Sequence, residues 1–187
     1  MTRIKLLLTF SALLMLYGCS VSNYYVLSTA SQPQKTYISK NQVIGVEKVT
    51  VPEYLFKREI AVAKSSSQVD FLEGSQWAED MDKGLTHRLI AYLQKKFKSP
   101  GVYAYPWGTD MQPEIKVKVQ VTRFIAQGES VYLDANWEAR DMKTDKRILK
   151  LFSTTLPTKT DAGSIVDAMN RAFGQLEEEV ARGVKQL

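Results

Sequence analysis

Cysteine and histidine are almost missing from this chain: one of each among 187 residues. A thiolate or imidazole zinc centre needs three or four such ligands, and one cysteine leaves no intrachain disulfide. No P-loop, no G-x-G-x-x-G and no G-x-S-x-G occurs, so the usual phosphate cradles and the serine nucleophile elbow are excluded. No apolar run reaches the roughly twenty residues of a membrane-spanning helix. A one-sided charge is lacking too. The 25 Lys and Arg are scattered among 20 Asp and Glu, for a net +5, whereas a nucleic-acid binder clusters its basic residues on one element. What is present is an ordinary globular composition. With 44% hydrophobic and 24% charged residues, the chain is neither disordered nor low in complexity. A chain of this length buries about 70% of its unfolded surface as one domain.

The first twenty residues read as an address followed by an anchor. Arg3 and Lys5 form a positive start, and Leu6 to Leu16 is an uncharged apolar run of eleven. That run has the length of a signal-peptide core and is too short to span a bilayer. It closes on Leu16-Tyr17-Gly18-Cys19, which resembles a bacterial lipoprotein lipobox. The resemblance implies that residues 1–18 are a removed signal peptide and that Cys19 is the lipid attachment site. It leaves 19–23 as a lipidated tether and 24–187 as a single domain. Losing Arg3 and Lys5 lowers the net charge to +3. Ser20, by resemblance to lipoproteins generally, favours onward sorting to the outer membrane. Each buried acyl methylene contributes about 0.8 kcal/mol, so two or more chains make a stable anchor.

The remainder reads as α+β: a mixed, largely antiparallel sheet with two main helices, about 77–97 and 164–185, packed on it. Short strands are expected at 22–27, 42–51, 59–64, 68–72 and 102–105, with a polar loop at 28–41. Trp77, Met81, Leu85, Leu89, Leu93 and Phe97 recur every four residues, which predicts a helix from Trp77. Its opposite side carries Glu79, Asp82, Lys83, Lys95 and Lys96. Ile115, Val117, Val119 and Val121 alternate with polar residues, as do Val131, Leu133, Ala135 and Trp137. Both apolar sets are odd-numbered, so a shared face requires an even pairing sum. Val119 then meets Trp137, Lys118 meets Glu138 and Phe124 meets Tyr132. A two-residue Gly128-Glu129 turn breaks that parity, which predicts an odd loop or a bulge. Residues 147–156 continue the meander. The last helix carries Ile165, Met169, Phe173, Leu176, Val180 and Val184 on one stripe, with Ser164 and Asp167 resembling a capping box.

Residues that could carry chemistry have plainer readings. His87 lies about 200° from both Leu85 and Leu89 around the helix, which places it in solvent. Glu177-Glu178-Glu179 point in different directions and read as a solvated face, with no metal ligand set. Trp77, Trp137 and Phe173 read as core. Tyr54, Leu55 and Phe56 follow Pro52 at a strand end. Three large apolar residues in a loop make either a partner contact or a loop folded back on the core. Tyr103, Tyr105 and Trp107 pose the same alternative. No catalytic residue and no cofactor is expected. The tether also leaves two alternatives. If 24–27 is a strand, the five steps from Cys19 hold the body within about 18 Å of the anchor. If it is loose, the tether reaches roughly 75 Å.

Tyr24-Tyr25-Val26-Leu27 after the lipobox, the run Val46 to Leu55, Trp77-Ala78-Glu79, Val121-Thr122-Arg123-Phe124 and Trp137 together resemble the ABC-type transport auxiliary lipoproteins. Asp80-Met81 stands where that family commonly has Pro-Leu, and Asp opens a helix as well as Pro does. The resemblance implies a non-catalytic lipoprotein held at the outer membrane by N-terminal acyl chains and facing the periplasm. It implies an MCE-domain protein and inner-membrane transporter components as partners, with lipid as cargo. A ring of copies, a homo-oligomer, suits a tunnel end, which has rotational symmetry. No nucleic acid is implied. An envelope hydrolase or a cell-wall-binding lipoprotein is the alternative, which converging carboxylates in a pocket would favour.

Overall fold

Eight strands and two helices succeed one another in the computed structural model, which describes residues 22–27, 29–37, 42–106, 108 and 112–187. They are β1 (Asn23–Tyr25), β2 (Ile44–Glu47), a 3-10 turn (Glu53–Phe56), β3 (Glu59–Ala63), β4 (Val69–Trp77), α1 (Met81–Phe97), β5 (Val102–Tyr105), β6 (Ile115–Gln127), β7 (Ser130–Asp141), β8 (Arg147–Pro157) and α2 (Ala162–Lys185). Cys19, the expected signal segment 1–18 and Trp107 lie outside the described residues.

The fold is α+β, with one mixed sheet. Its two longest ladders, β6–β7 and β7–β8, are antiparallel. The pairings β1–β4, β2–β5, β2–β6 and β3–β6 are parallel. One edge of β6 runs along β7 for its whole length. The other edge is divided: β2 pairs at Ile115–Val117, Thr50 bridges to Gln120, and β3 pairs at Ala126–Gln127.

The expected parity holds from Ile115 to Val121, where Val119 meets Trp137 and Lys118 meets Glu138. Beyond that a register shift falls between Val121 and Arg123, so Phe124 meets Leu133 in place of the expected Tyr132. The bulge absorbs one residue. It lets a two-residue turn, with Gly128 at φ +57°, keep both apolar sets on the core face. Even-numbered Phe124 and Ala126 are therefore buried with odd-numbered Val117 and Val119.

Both helices cover that face, and they share one apolar core with it, running from Ile44 and Val46 through Trp77 and Leu89 to Phe173 and Val180. Trp77 belongs to β4 and the helix begins at Met81, so the four-residue spacing from Trp77 overextends it. Asp80 is the N-cap residue, with extended backbone, but its carboxylate takes Lys83 Nζ at 2.6 Å and caps no backbone N–H. The last helix starts earlier than its expected capping box. Asp161 Oδ1 accepts from Ser164 N at 2.9 Å, which satisfies one of the helix's free donors. Among the described residues the opposite face of the sheet carries no helix. Lys118, Gln120, Asn136, Leu149 and Leu151 point there, all exposed.

Candidate docking surfaces

Pro52 (φ −60°) leads into the 3-10 turn that carries Tyr54, Leu55 and Phe56. The three residues part company there. Leu55 is 2% exposed and joins the core. Tyr54 is partly buried, and its hydroxyl accepts the Phe124 N–H at 3.0 Å. That N–H lies on the divided edge of β6, between the stretches that β2 and β3 reach, so the phenol satisfies a donor neither strand meets. Burial raises the Tyr54 pKa, against the opposing hydrogen bond from Phe124 and the charge of Arg123. Phe56 alone points outward, 52% exposed. Of the two alternatives, Leu55 takes the fold-back onto the core, and Phe56 stays exposed.

A second surface was not singled out by the sequence reading. Among the described residues β8 pairs with β7 alone and is an edge of the sheet. Its even-numbered Ile148, Phe152 and Leu156 pack on the core. Its odd-numbered Leu149 and Leu151 stand on the helix-free face, 66% and 85% exposed. They line a depression of about 410 Å³ with Lys118, Gln120, Asn136 and Glu138. The signal lay in Ile148-Leu149-Lys150-Leu151-Phe152, which is apolar on both parities. A one-sided strand needs apolar residues on one parity only, so the second set is apolar beyond what the fold buries. Open edges with apolar side chains are sites of strand addition.

The third feature corrects an expectation. Glu177, read as part of a solvated run, is 0% exposed. It faces Arg88, 1% exposed, across the seam between α1 and α2. Arg88 Nε and Nη2 donate to its two oxygens at 3.1 and 3.3 Å. Burial pushes the Glu177 carboxyl up to about 7, with the charge and hydrogen bonds of Arg88 pulling the other way. Lys96, also expected in solvent, is buried and donates to both Glu178 oxygens at 2.8 and 2.7 Å. Tyr92 OH donates to Glu178 at 2.5 Å. Burial raises the Glu178 pKa, but the bonds from Lys96 and Tyr92 outweigh it and the net shift is downward. Tyr92 is shifted up, by burial first and by its bond to Glu178 second. Asp82, a third residue expected in solvent, is buried beside Lys48. The missed signal for Arg88 is its place three residues after Leu85 and four before Tyr92, on the apolar side of α1. His87 is exposed, as its angular position requires. At the seam Glu177 is engaged by Arg88 and Glu178 by Lys96. Among the described residues no group of three or more His, Cys, Asp or Glu is placed to hold a metal ion, and no helix is long and apolar enough to cross a membrane.

Comparison with known proteins bears on what these surfaces serve. Residues 25–181 match the model of the ABC-type transport auxiliary lipoprotein component family. The chain is 32% identical over 190 residues to the intermembrane transport lipoprotein PqiC of Escherichia coli K12, covering 98% of both chains. It is equally similar to its counterpart in Shigella flexneri. The crystal structure of protein XCC0632 from Xanthomonas campestris shares the fold, with a TM-score of 0.72 at 15% identity over 87% of this chain and 94% of that one.

Proposed function

The chain belongs to the ABC-type transport auxiliary lipoprotein family, and on that premise we propose that it is a non-catalytic, lipid-anchored component of an intermembrane lipid transport system. Cys19 carries the acyl chains and holds the domain at the periplasmic face of the outer membrane. The body docks the end of an MCE-domain tunnel served by inner-membrane transporter components. The observation that carries the reading is the 32% identity to an intermembrane transport lipoprotein across 98% of the chain.

The fold supports the docked form of the tether. β1 begins at Asn23 and pairs with β4, so the five steps from Cys19 to Tyr24 allow at most about 18 Å between anchor and body. Docking needs complementary shape and exposed apolar groups, not chemistry. Phe56 and the β8 pair Leu149 and Leu151 supply such groups at two separate places. Two contacts per subunit also suit a ring of copies, in which one face meets the tunnel and another meets the neighbour.

Site-specific photocrosslinking from Phe56 and Leu151 in intact envelopes tests the docking. The expected products contain an MCE-domain protein or a second copy of this chain. Labels that capture neither overturn the docking role. Cys19→Ser tests the anchor: the variant should leave the membrane fraction and lose the acylated N-terminal peptide.

A further inference from the structure

The segment that follows β1 crosses the seam between the helices without joining the sheet. Its described residues in 26–37 form no helix or strand. Only Leu27 and Ala30 among them are buried. The helices hold it through polar groups. Arg88 Nη1 donates to Leu27 O at 3.2 Å, Lys95 Nζ donates to Ala30 O at 3.0 Å, and Tyr37 N donates to Lys96 O at 2.7 Å. The Tyr37 ring has Lys96 Nζ at 4.7 Å and Lys185 Nζ at 4.4 Å, and packs on Phe97 with ring centroids 5.4 Å apart. An open groove of about 1140 Å³ runs beside it, lined by Pro33, Tyr37, Arg88, Phe152 and Gly174 among others.

Arg88 is the hub of this attachment. A guanidinium has five N–H donors, and here each has an acceptor. Two go to the Glu177 oxygens, one to Asn170 Oδ1 at 2.6 Å, one to Asn170 O at 2.8 Å and one to Leu27 O. One side chain therefore ties α1, α2 and the strap together at a point with almost no solvent access. β1, immediately before the strap, is three residues at a sheet edge, and among the described residues its strand partner is β4. A strand that short is held by what continues it. Few buried apolar contacts and a largely exposed backbone mark a segment that opens before the rest of the domain.

We propose that Arg88 and Glu177 form a latch that fixes the strap to the helices and so sets how far the body stands from its membrane anchor. Arg88 and Glu177 are positioning residues, acting through Leu27 and β1. With the latch closed, β1 stays paired and the reach from Cys19 is under about 18 Å. With it open, β1 and the strap peel away, and the chain from Cys19 to Gln42 extends to roughly 80 Å. The consequence for reach rests on the lipid-anchored reading above, while the latch itself does not.

Hydrogen exchange on the full acylated chain in detergent micelles tests it, following peptides that cover 23–37 and 85–97. In Arg88→Met with Glu177→Met, both charges are removed together, so no buried charge is stranded as it is by a single change. The expected result is at least tenfold faster exchange at β1 and Tyr37, with α1 and α2 still protected. Arg88→Lys keeps the charge but not the fork and should fall between. Lys95→Ala removes one strap contact and should speed exchange at 29–37 less than the double change. Strap exchange that is unchanged in the folded double variant overturns the latch, as does strap exchange that rises only together with that of both helices. Mass spectrometry of the N-terminal peptide reads acylation of Cys19 separately, so a missing anchor is not mistaken for a missing latch.

Discussion

Gly183 on α2 lies so close to Trp137 on β7 that a Cβ there would sit 2.2 Å from the indole Cη2. The glycine is demanded by approach, not by backbone conformation. Gly183→Ala should therefore destabilise the domain by about 1–3 kcal/mol, the usual cost of overpacking. The helix-propensity gain of alanine, about 1 kcal/mol, offsets part of it. Chemical denaturation measures the loss. Trp137→Leu in the same chain should recover part of it, giving a coupling energy in a double-mutant cycle.

Glu177 makes stability depend on pH in a defined direction. Its carboxyl is raised from 4.5 to about 7 in the folded protein, so between those values the folded state holds a proton that the unfolded chain releases. Stability from this group is present below about pH 4.5 and is lost as pH rises through about 7. The full span is on the order of 3 kcal/mol. The groups facing it are Arg88 and Lys95 from α1, with Glu178, Lys96 and Tyr92 close by. Glu178 is shifted the other way and acts at lower pH. Denaturant midpoints between pH 5 and 8 should fall with rising pH in the parent and flatten in Glu177→Gln.

Tyr54 and Phe56 separate folding from docking within one turn. Tyr54→Phe strands the buried Phe124 N–H and should cost about 1–3 kcal/mol while leaving partner capture intact. Phe56→Ala should change stability by less than about 0.5 kcal/mol and reduce capture. Thermal melts and envelope crosslinking read the two effects side by side.

Leu151→Asp on the open edge of β8 should leave the melting temperature within a degree or two of the parent. At 85% exposure the side chain gives the fold little to lose. Copurification of envelope partners, or of a second copy, should fall. Undiminished recovery of both would remove β8 from the docking surfaces.

The register at the start of the hairpin was legible because the alternation of Val117, Val119 and Val121 admits only one parity against Trp137. Where the bulge would fall was not, since any of several residues could absorb the offset. The four-residue stripe of α1 showed its core face but not its start, because Trp77 fits that stripe and also ends β4. Arg88 and Glu177 stayed hidden for a related reason. A charged residue on an apolar helix face reads as surface unless its partner, 89 positions away, is known. The opposite fates of Leu55 and Phe56 depend on how a four-residue turn sits against the sheet, which residue type does not encode.

By itself the sequence determined the class of the protein. Local periodicity set the helices and strands, and near absence of cysteine and histidine removed the zinc and disulfide chemistries those residues serve. The order of motifs after Leu16-Tyr17-Gly18-Cys19 marked the family. Only the tertiary structure decided which face of the sheet stays bare, which glutamate is buried and how the first strand is held. Those outcomes depend on contacts between segments distant in the chain, where burial and pairing are set by geometry that no local pattern records.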